Sequence, residues 1–255
     1  MLRWRIVVHG ARDGAWNMAC DEALREAADA EQLCTLRLYA WSPPALSFGR
    51  NEPALRRYDR AAIAARGLAT VRRPTGGRAV WHDREVTYSV AAPLAAFGSL
   101  RQTYSEIHAT IAEGLRSLGA AVVLAPDRPS GGVGAGPCFA SAAGGEVVTE
   151  SGLKVVGSAQ VRVGNAFLQH GSILLESDQQ LVASLTLGPA AVPAATGLAT
   201  LIEAARATWQ SVADAVAAAA ARRWGAVRSE LPDQVARRAD ELARTFADPA
   251  WTWRR

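Results

Sequence analysis

Apolar residues along the chain switch between two periods. From 14 to 30, Met18, Leu24 and several alanines recur among Asp21, Glu22 and Arg25 at helical spacing. The same period predicts helices over 54–66 and through Ile107, Ile111, Leu115 and Leu118. It returns through Leu201, Ala205, Trp209, Val212 and Val216, and again through Val235, Ala239, Leu242 and Phe246. Thr103-x-x-Glu106 and Thr200-x-x-Glu203 have the form of capping boxes for two of these, and Gly119 stops the first. Between the helical stretches the period falls to two, or the chain becomes a short apolar run. Strands are expected at 36–41, 45–49, 69–73, 85–90, 122–124, 146–149, 153–162 and 166–175. Glu150-Ser151-Gly152 predicts a hairpin between two of them. Residues 126–137 read as a glycine-rich loop and 189–197 as a linker-like break. Strands with interspersed helices, then helices alone, predict an α+β layered fold with a helical C-terminal segment. The division expected is a catalytic core over 1–178, with 179–255 packed on it or completing the same domain.

Composition narrows the class. The chain has 255 residues, of which 49% are hydrophobic, enough for a large core and too many for disorder. No apolar run reaches the roughly 20 residues of a membrane span, and the start lacks an apolar signal region, so a cytoplasmic protein without a membrane partner is expected. Three cysteines, Cys20, Cys34 and Cys138, make no disulfide framework and no zinc spacing. Cys20 reads as buried filler and Cys34 as a loop thiol. His9, His82, His108 and His170 are too scattered to predict a metal site, and no Ser-His-Asp arrangement is visible. The net charge of +4 comes from dispersed arginines, which argues against nucleic acid and leaves open a basic face for an acidic protein. Lysine occurs once, at Lys154.

Four segments could carry chemistry. In Arg72 to Asp83, Gly76-Gly77 after a strand lets backbone approach a ligand, Arg73 and Arg78 could clamp a carboxylate, phosphate or acyl carbonyl, and His82 could shuttle a proton. The bland alternative is a tight turn with solvated arginines. In Lys154 to Arg162, Lys154, Val156 and Ser158 share one strand face, and small residues at 157–159 leave room for a ligand. An edge-strand lysine is the competing reading, weakened because arginine could serve an edge equally well. Gln169-His170-Gly171-Ser172 is a polar step inside an apolar strand, functional or a core histidine bonded to its own backbone. Cys138, after the glycine-rich loop, becomes a nucleophile if it meets Lys154, since a nearby ammonium depresses a thiol's pKa. A lone cysteine is otherwise more often inert.

Together these segments resemble one family. Asn17 to Leu24, Arg73-Pro74-Thr75-Gly76-Gly77-Arg78 to His82, Lys154 to Gln160 with Arg162, and Gln169 to Ser172 stand in the order of the lipoate–protein ligases and octanoyltransferases. Trp251-Thr252-Trp253-Arg254-Arg255 is similar to a C-terminal end of that family. The resemblance implies a mixed β-sheet with packed helices, as in biotin–protein ligase catalytic domains. It also implies an acyl tunnel lined by Arg73, Thr75, Gly76, Gly77, Arg78, His82, Gly157, Ser158, Ala159, Gln160, Arg162, His170, Gly171 and Ser172, with Lys154 beside the acyl carbonyl. Cys138-Phe139 resembles the Cys-Phe of the cysteine-dependent octanoyltransferases. That implies transfer of octanoyl from acyl carrier protein, through a thioester on Cys138, to a lysine of a lipoyl-carrier protein such as the glycine cleavage H protein. No metal or cofactor is then expected. The alternatives are an ATP- and magnesium-dependent lipoate ligase, a lipoyl amidotransferase, or a non-catalytic acyl-binding module. Gly144-Gly145 departs from the aromatic residues that the family more often carries before Glu146. The stretch from Cys138 to Lys154 is slightly longer than usual.

Overall fold

A computed structural model describes residues 2–126, 139, 144–190 and 193–255. The chain opens with β1 (Arg3–Arg12), α1 (Gly14–Glu31), β2 (Leu33–Trp41), β3 (Ala45–Phe48), α2 (Ala54–Arg57), α3 (Arg60–Ala65), β4 (Ala69–Arg72), β5 (Val80–His82) and β6 (Glu85–Pro93). There follow α4 (Leu100–Ser117), β7 (Val122–Leu124), β8 (Val147–Thr149), β9 (Val156–Val163), β10 (Ala166–Leu174) and α5 (Gln180–Ser184). The last elements are α6 (Trp209–Trp224), β11 (Val227–Arg228), α7 (Asp233–Ala247) and α8 (Pro249–Thr252).

Six strands form the main sheet in the order β11-β1-β2-β6-β10-β9, and β4-β3-β5 form a smaller one. β1 is parallel to β2 and β11, whereas the pairs β2–β6, β6–β10 and β10–β9 are antiparallel. The period-two alternation sends neighbouring residues to opposite faces. Leu36, Leu38, Val86, Tyr88, Val90, Phe167 and Ile173 join Ile107, Ile111 and Leu115 of α4 and Val212 and Val216 of α6 in one core. Tyr39, Trp41, Ala91, Ala166 and Leu168 join Met18 and Leu24 of α1 and Val235, Ala239 and Phe246 of α7 in another. A third core, with Leu46, Phe48, Tyr58, Ile63 and Trp81, lies under the small sheet. The result is a mixed sheet with packed helices of the α+β class, as expected. No helix among the described residues is long and apolar enough to cross a membrane.

Several local expectations are corrected. The helix over 54–66 is two pieces, because Tyr58 turns extended and Asp59 caps a new helix at the Ala62 amide. α4 begins at Leu100, with Ser99 and Gln102 as its capping box; Thr103 lies buried a turn inside. Leu198–Thr200 is a short 3-10 turn, and α6 starts only at Trp209, capped by Thr208. Both misplaced starts share a cause: a Thr-x-x-Glu pattern is also compatible with a helix interior or a loop. Cys34 is buried in β2 rather than in a loop. The C-terminal segment is helical as expected, in α6 to α8, and the two-residue β11 is added at the sheet edge beside β1. The hairpin at 150–152 is present, with the Thr149 amide donating to Leu153 O at 2.9 Å. The break at 189–197 makes strand-like contact: Lys154 N donates to Ala194 O and Thr196 N to Lys154 O, at 2.9 and 3.0 Å.

Candidate active site

A cavity lies between the main sheet, α1 and the small sheet. Met18, Tyr39, Trp41, Ser47, Arg73, Val80, His82, Thr87, Gly157, Ser158, Ala159, His170, Gly171 and Ser172 line it. The register explains the convergence. His170 and Ser172 of β10 lie opposite Ser89 and Thr87 of β6 and opposite Ala159 and Gly157 of β9, so all share one face. Residues of the small sheet cover that face.

The polar wall is held by two chains of hydroxyl, imidazole and carboxylate. In the first, Asp21 of α1 is fully buried and accepts from Arg37 Nη1 and Tyr39 Oη, both at 2.9 Å, from Ser89 Oγ at 2.7 Å and from His170 Nδ1 at 3.0 Å. Burial alone would raise its pKa, but the His170 hydrogen bond and the Arg37 charge outweigh it and hold the carboxyl below its usual 3.8. Asp21 is therefore ionised and His170 carries its proton on Nδ1. Burial pushes the His170 pKa down, so Nε2 is a bare acceptor, and Thr75 Oγ1 donates to it at 2.6 Å. This ties the Pro74–Gly77 turn to the main sheet.

In the second chain, His82 Nδ1 meets Glu85 Oε1 at 2.8 Å and Nε2 meets Ser47 Oγ at 2.7 Å, with the imidazole stacked on Trp41 at 4.0 Å. Glu85 Oε1 also accepts from Ser172 Oγ at 3.0 Å and from Thr87 Oγ1. The sequence shows no Ser-His-Asp arrangement, yet in space Ser47, His82 and Glu85 line up, because Ser47 and His82 come from paired strands 35 residues apart. Arg72 and Arg73 are not solvated either, whereas Arg78 is half-buried. Arg72 is fully buried, and Arg73 donates to Ser47 O, Gly76 O and Arg78 O at 3.1, 2.8 and 2.6 Å. Arg73 therefore clamps its own loop while it lines the cavity. Gly77, at φ +90°, adopts the left-handed conformation that this turn needs.

Lys154 is buried, with 3% of its surface exposed, and pairs with Glu146 Oε2 at 2.8 Å. It sits just before β9, in bridges to Val148 and Ala195, so the edge-strand alternative fails. Tyr104 Oη donates to Glu146 at 3.0 Å and packs on His108. Burial, together with the Lys154 charge, pushes His108 down to about 3, so it is neutral at physiological pH. Its Nε2 meets Ser158 Oγ at 2.8 Å, and Ser158 meets Tyr88 Oη at 2.6 Å. Gln160 donates to Gln169, which donates to Tyr88, at 3.1 and 3.0 Å. Arg162 is exposed and bonds only locally among the described residues, to Gly164 O at 3.5 Å. It does not reach the cavity.

Cys138 lies outside the described residues. Phe139, its neighbour in sequence, is buried against Val80 and Leu174. Its ring stands where a Gly157 side chain would, 2.6 Å from an added Cβ, and 5.3 Å from Lys154 Nζ. Gly171 is required by strand packing: a Cβ there would come within 2.4 Å of Gly157 O. Among the described residues no cluster of three His, Cys, Asp or Glu gathers for a metal.

Asp21, Ser47, Glu85, His108 and Glu146 are site residues that the four segments did not name as ligands. A signal existed for Glu85, because Glu85, Thr87 and Ser89 alternate with Val86, Tyr88 and Val90. Such a strand is normally read polar-side-out, yet here both faces are buried.

Comparison with known proteins follows the same lines. Residues 13–220 match the lipoyl protein ligase A/B catalytic domain. Octanoyltransferase LipM of Kyrpidia tusciae is 46% identical over 189 residues, 71% of this chain and 69% of that protein. Octanoyltransferase LipM of Symbiobacterium thermophilum is 37% identical over 261 residues, 96% and 94% of the two chains. Among solved structures, lipoate-protein ligase A bound with ATP superposes with a TM-score of 0.83 at 18% identity, covering 98% of each chain. A bi-partite lipoate protein ligase from Thermoplasma acidophilum gives 0.78 at 18% identity, covering 99% and 97%. At these identities the structures speak to the fold.

Proposed function

The chain belongs to the lipoyl protein ligase A/B catalytic-domain family, and from that premise we propose that it is an octanoyltransferase of protein lipoylation working through a Cys138 thioester. The donor is octanoyl-acyl carrier protein and the acceptor a lysine of a lipoyl-carrier protein. The observation that carries the reading is Phe139, one peptide bond from Cys138, packed between the cavity wall at Gly157 and the ammonium of Lys154.

The chemistry balances without ATP. The Cys138 thiolate attacks the donor thioester carbonyl, a tetrahedral oxyanion forms, and the carrier thiolate leaves and takes a proton. The acceptor lysine, as neutral amine, then attacks the new thioester. Cys138 leaves as thiolate, the nitrogen loses its proton, and an amide remains. Lys154 favours both the thiolate and the oxyanion, while Glu146 holds it in a defined position. The other two thiols are unsuited: burial pushes Cys20 up to about 11 and Cys34 up to about 12. The apolar parts of the cavity contribute affinity at about 0.8 kcal/mol per buried methylene.

Intact-mass measurement after incubation with octanoyl-acyl carrier protein, ATP absent, tests this. We expect one octanoyl adduct, released by hydroxylamine and missing in Cys138→Ala. An unmodified enzyme that lipoylates an apo carrier with lipoate, ATP and magnesium would overturn the transferase reading in favour of a ligase.

A further inference from the structure

We infer that an arginine-rimmed apolar ridge formed by α2, α3 and the C-terminal turn is the docking face for the acyl donor, received as a carrier protein with an acidic, partly apolar surface. This rests on the octanoyltransferase reading above.

Two leucines stand out on this side. Leu55 is 48% exposed and Leu187 is 52% exposed. They are brought together by backbone pairing: Tyr58 bridges Thr186, and Leu187 N donates to Arg57 O at 2.7 Å. Arg50, Arg56, Arg60 and Arg254 are all exposed around them. Arg254 donates to Arg50 O at 2.8 Å, Leu55 N donates to Arg255 O at 2.9 Å, and Arg60 lies over Trp253 at 5.1 Å. The C-terminal turn therefore adds its charges to those of α2 and α3.

The two acids within this stretch are outnumbered by the four exposed arginines and are held by local hydrogen bonds. Glu52 is buried and accepts from Tyr58 Oη at 2.7 Å and from the Gly49 amide at 3.1 Å. Asp59 is committed to capping α3, at 2.9 Å from Ala62 N. Besides burial, the charges of Arg50 and Arg255 hold Arg254 below its usual pKa, the mark of crowded like charge. Exposed leucines beside a rim of one charge sign are a usual feature of a protein docking site, and the charge sets the sign of the partner.

The ridge adjoins the cavity through one turn. Arg50 N donates to Thr75 O at 2.7 Å, Gly49 packs directly on Gly77, and a Cβ on Gly77 would lie 3.9 Å from Ala159 of the cavity wall. The choice of donor over acceptor follows from charge. The acceptor must bring a lysine, whose ammonium an arginine rim repels, whereas the donor brings an uncharged thioester.

The test compares two donors for wild type and Arg50→Glu/Arg56→Glu: octanoyl-acyl carrier protein and octanoyl-pantetheine. The KM for the carrier-borne donor should rise about tenfold or more, with that for the small thioester unchanged, and Arg237→Glu on α7 should change neither. Added salt should raise the wild-type KM for the carrier only. Anisotropy with labelled octanoyl-acyl carrier protein reads the same loss of binding without turnover. If wild type acylates from neither donor, the functional reading fails while the binding measurement still decides the ridge. Unchanged carrier affinity in the double variant, or a rise confined to the acceptor's KM, would overturn the inference.

Discussion

Asp21 and Arg37 show how single side chains set the site. Both are fully buried, and the carboxylate serves Arg37, Tyr39, Ser89 and His170 at once. Removing one member of such a pair leaves a buried charge without its counterion, so Asp21→Asn should cost about 3–5 kcal/mol in denaturant unfolding. Because the fold holds Asp21 below 3.8, its contribution is complete above the unfolded pKa and is lost as the pH falls toward the folded value. The acid limb of a stability–pH profile should therefore flatten in Asp21→Asn. Lys154 makes a different demand. Lys154→Arg keeps the positive charge, but a planar fork cannot occupy the place of an ammonium 2.8 Å from Glu146 and 5.3 Å from the Phe139 ring. Octanoyl-adduct formation should fall at least about a hundredfold, the loss expected when one oxyanion-stabilising donor is misplaced, while circular dichroism stays that of the folded protein. An adduct rate near wild type in Lys154→Arg would remove the ammonium from the mechanism.

The strands β9 and β10 act through what they lack. Gly157 makes room for the Phe139 ring, and Gly171 lets β10 lie close under Gly157 O and Ser158. Gly157→Ala must displace Phe139, and with it the chain position of Cys138. It should slow adduct formation with octanoyl-acyl carrier protein more than it lowers Tm, and equal loss of both would mean a purely structural role. At α4 the cap is Ser99 and not Thr103. Ser99→Ala should accordingly cost about 1 kcal/mol by thermal unfolding.

The molecule as a whole is closed by its C-terminal end. Arg72, buried behind the site loop, donates to Gly49 O at 2.6 Å, Glu52 O at 2.9 Å and Thr252 O at 2.9 Å, and Trp251 Nε1 returns a bond to Arg72 O at 3.0 Å. Trp253 packs on Phe48 in the small sheet. Residues far along the chain thus hold Arg72, next to Arg73 of the cavity wall and to the 74–78 turn that Arg73 clamps. Trp251→Ala should raise amide exchange at 74–78 and lower the acylation rate together. Loosening of the C-terminal turn alone, with exchange at 74–78 unchanged, would argue that the two are uncoupled.

Much of this architecture could be read from residue order. Period-two and period-3.6 apolar patterns placed α1, β2, β6, β10 and α7, because burial on one face leaves its period in the chain itself. The motifs around Arg73, Lys154 and His170 likewise stood out as polar or glycine steps in apolar runs. What residue order could not carry was pairing between distant positions. In β1 only Trp4 and Ile6 alternate with Arg3 and Arg5 before the pattern lapses at Val7-Val8, and β11 is two residues long with no pattern of its own. Helix starts at Ser99 and Thr208 competed with equally plausible Thr-x-x-Glu patterns. Most of all, Ser47 meets His82, His170 bridges Thr75 and Asp21, and Glu146 meets Lys154, only because folding brings their strands, turns and helix together. A hydrogen bond acts over about 3 Å of space whatever the separation along the chain. Residue identity therefore announces which chemistry is available, and packing selects which groups share it.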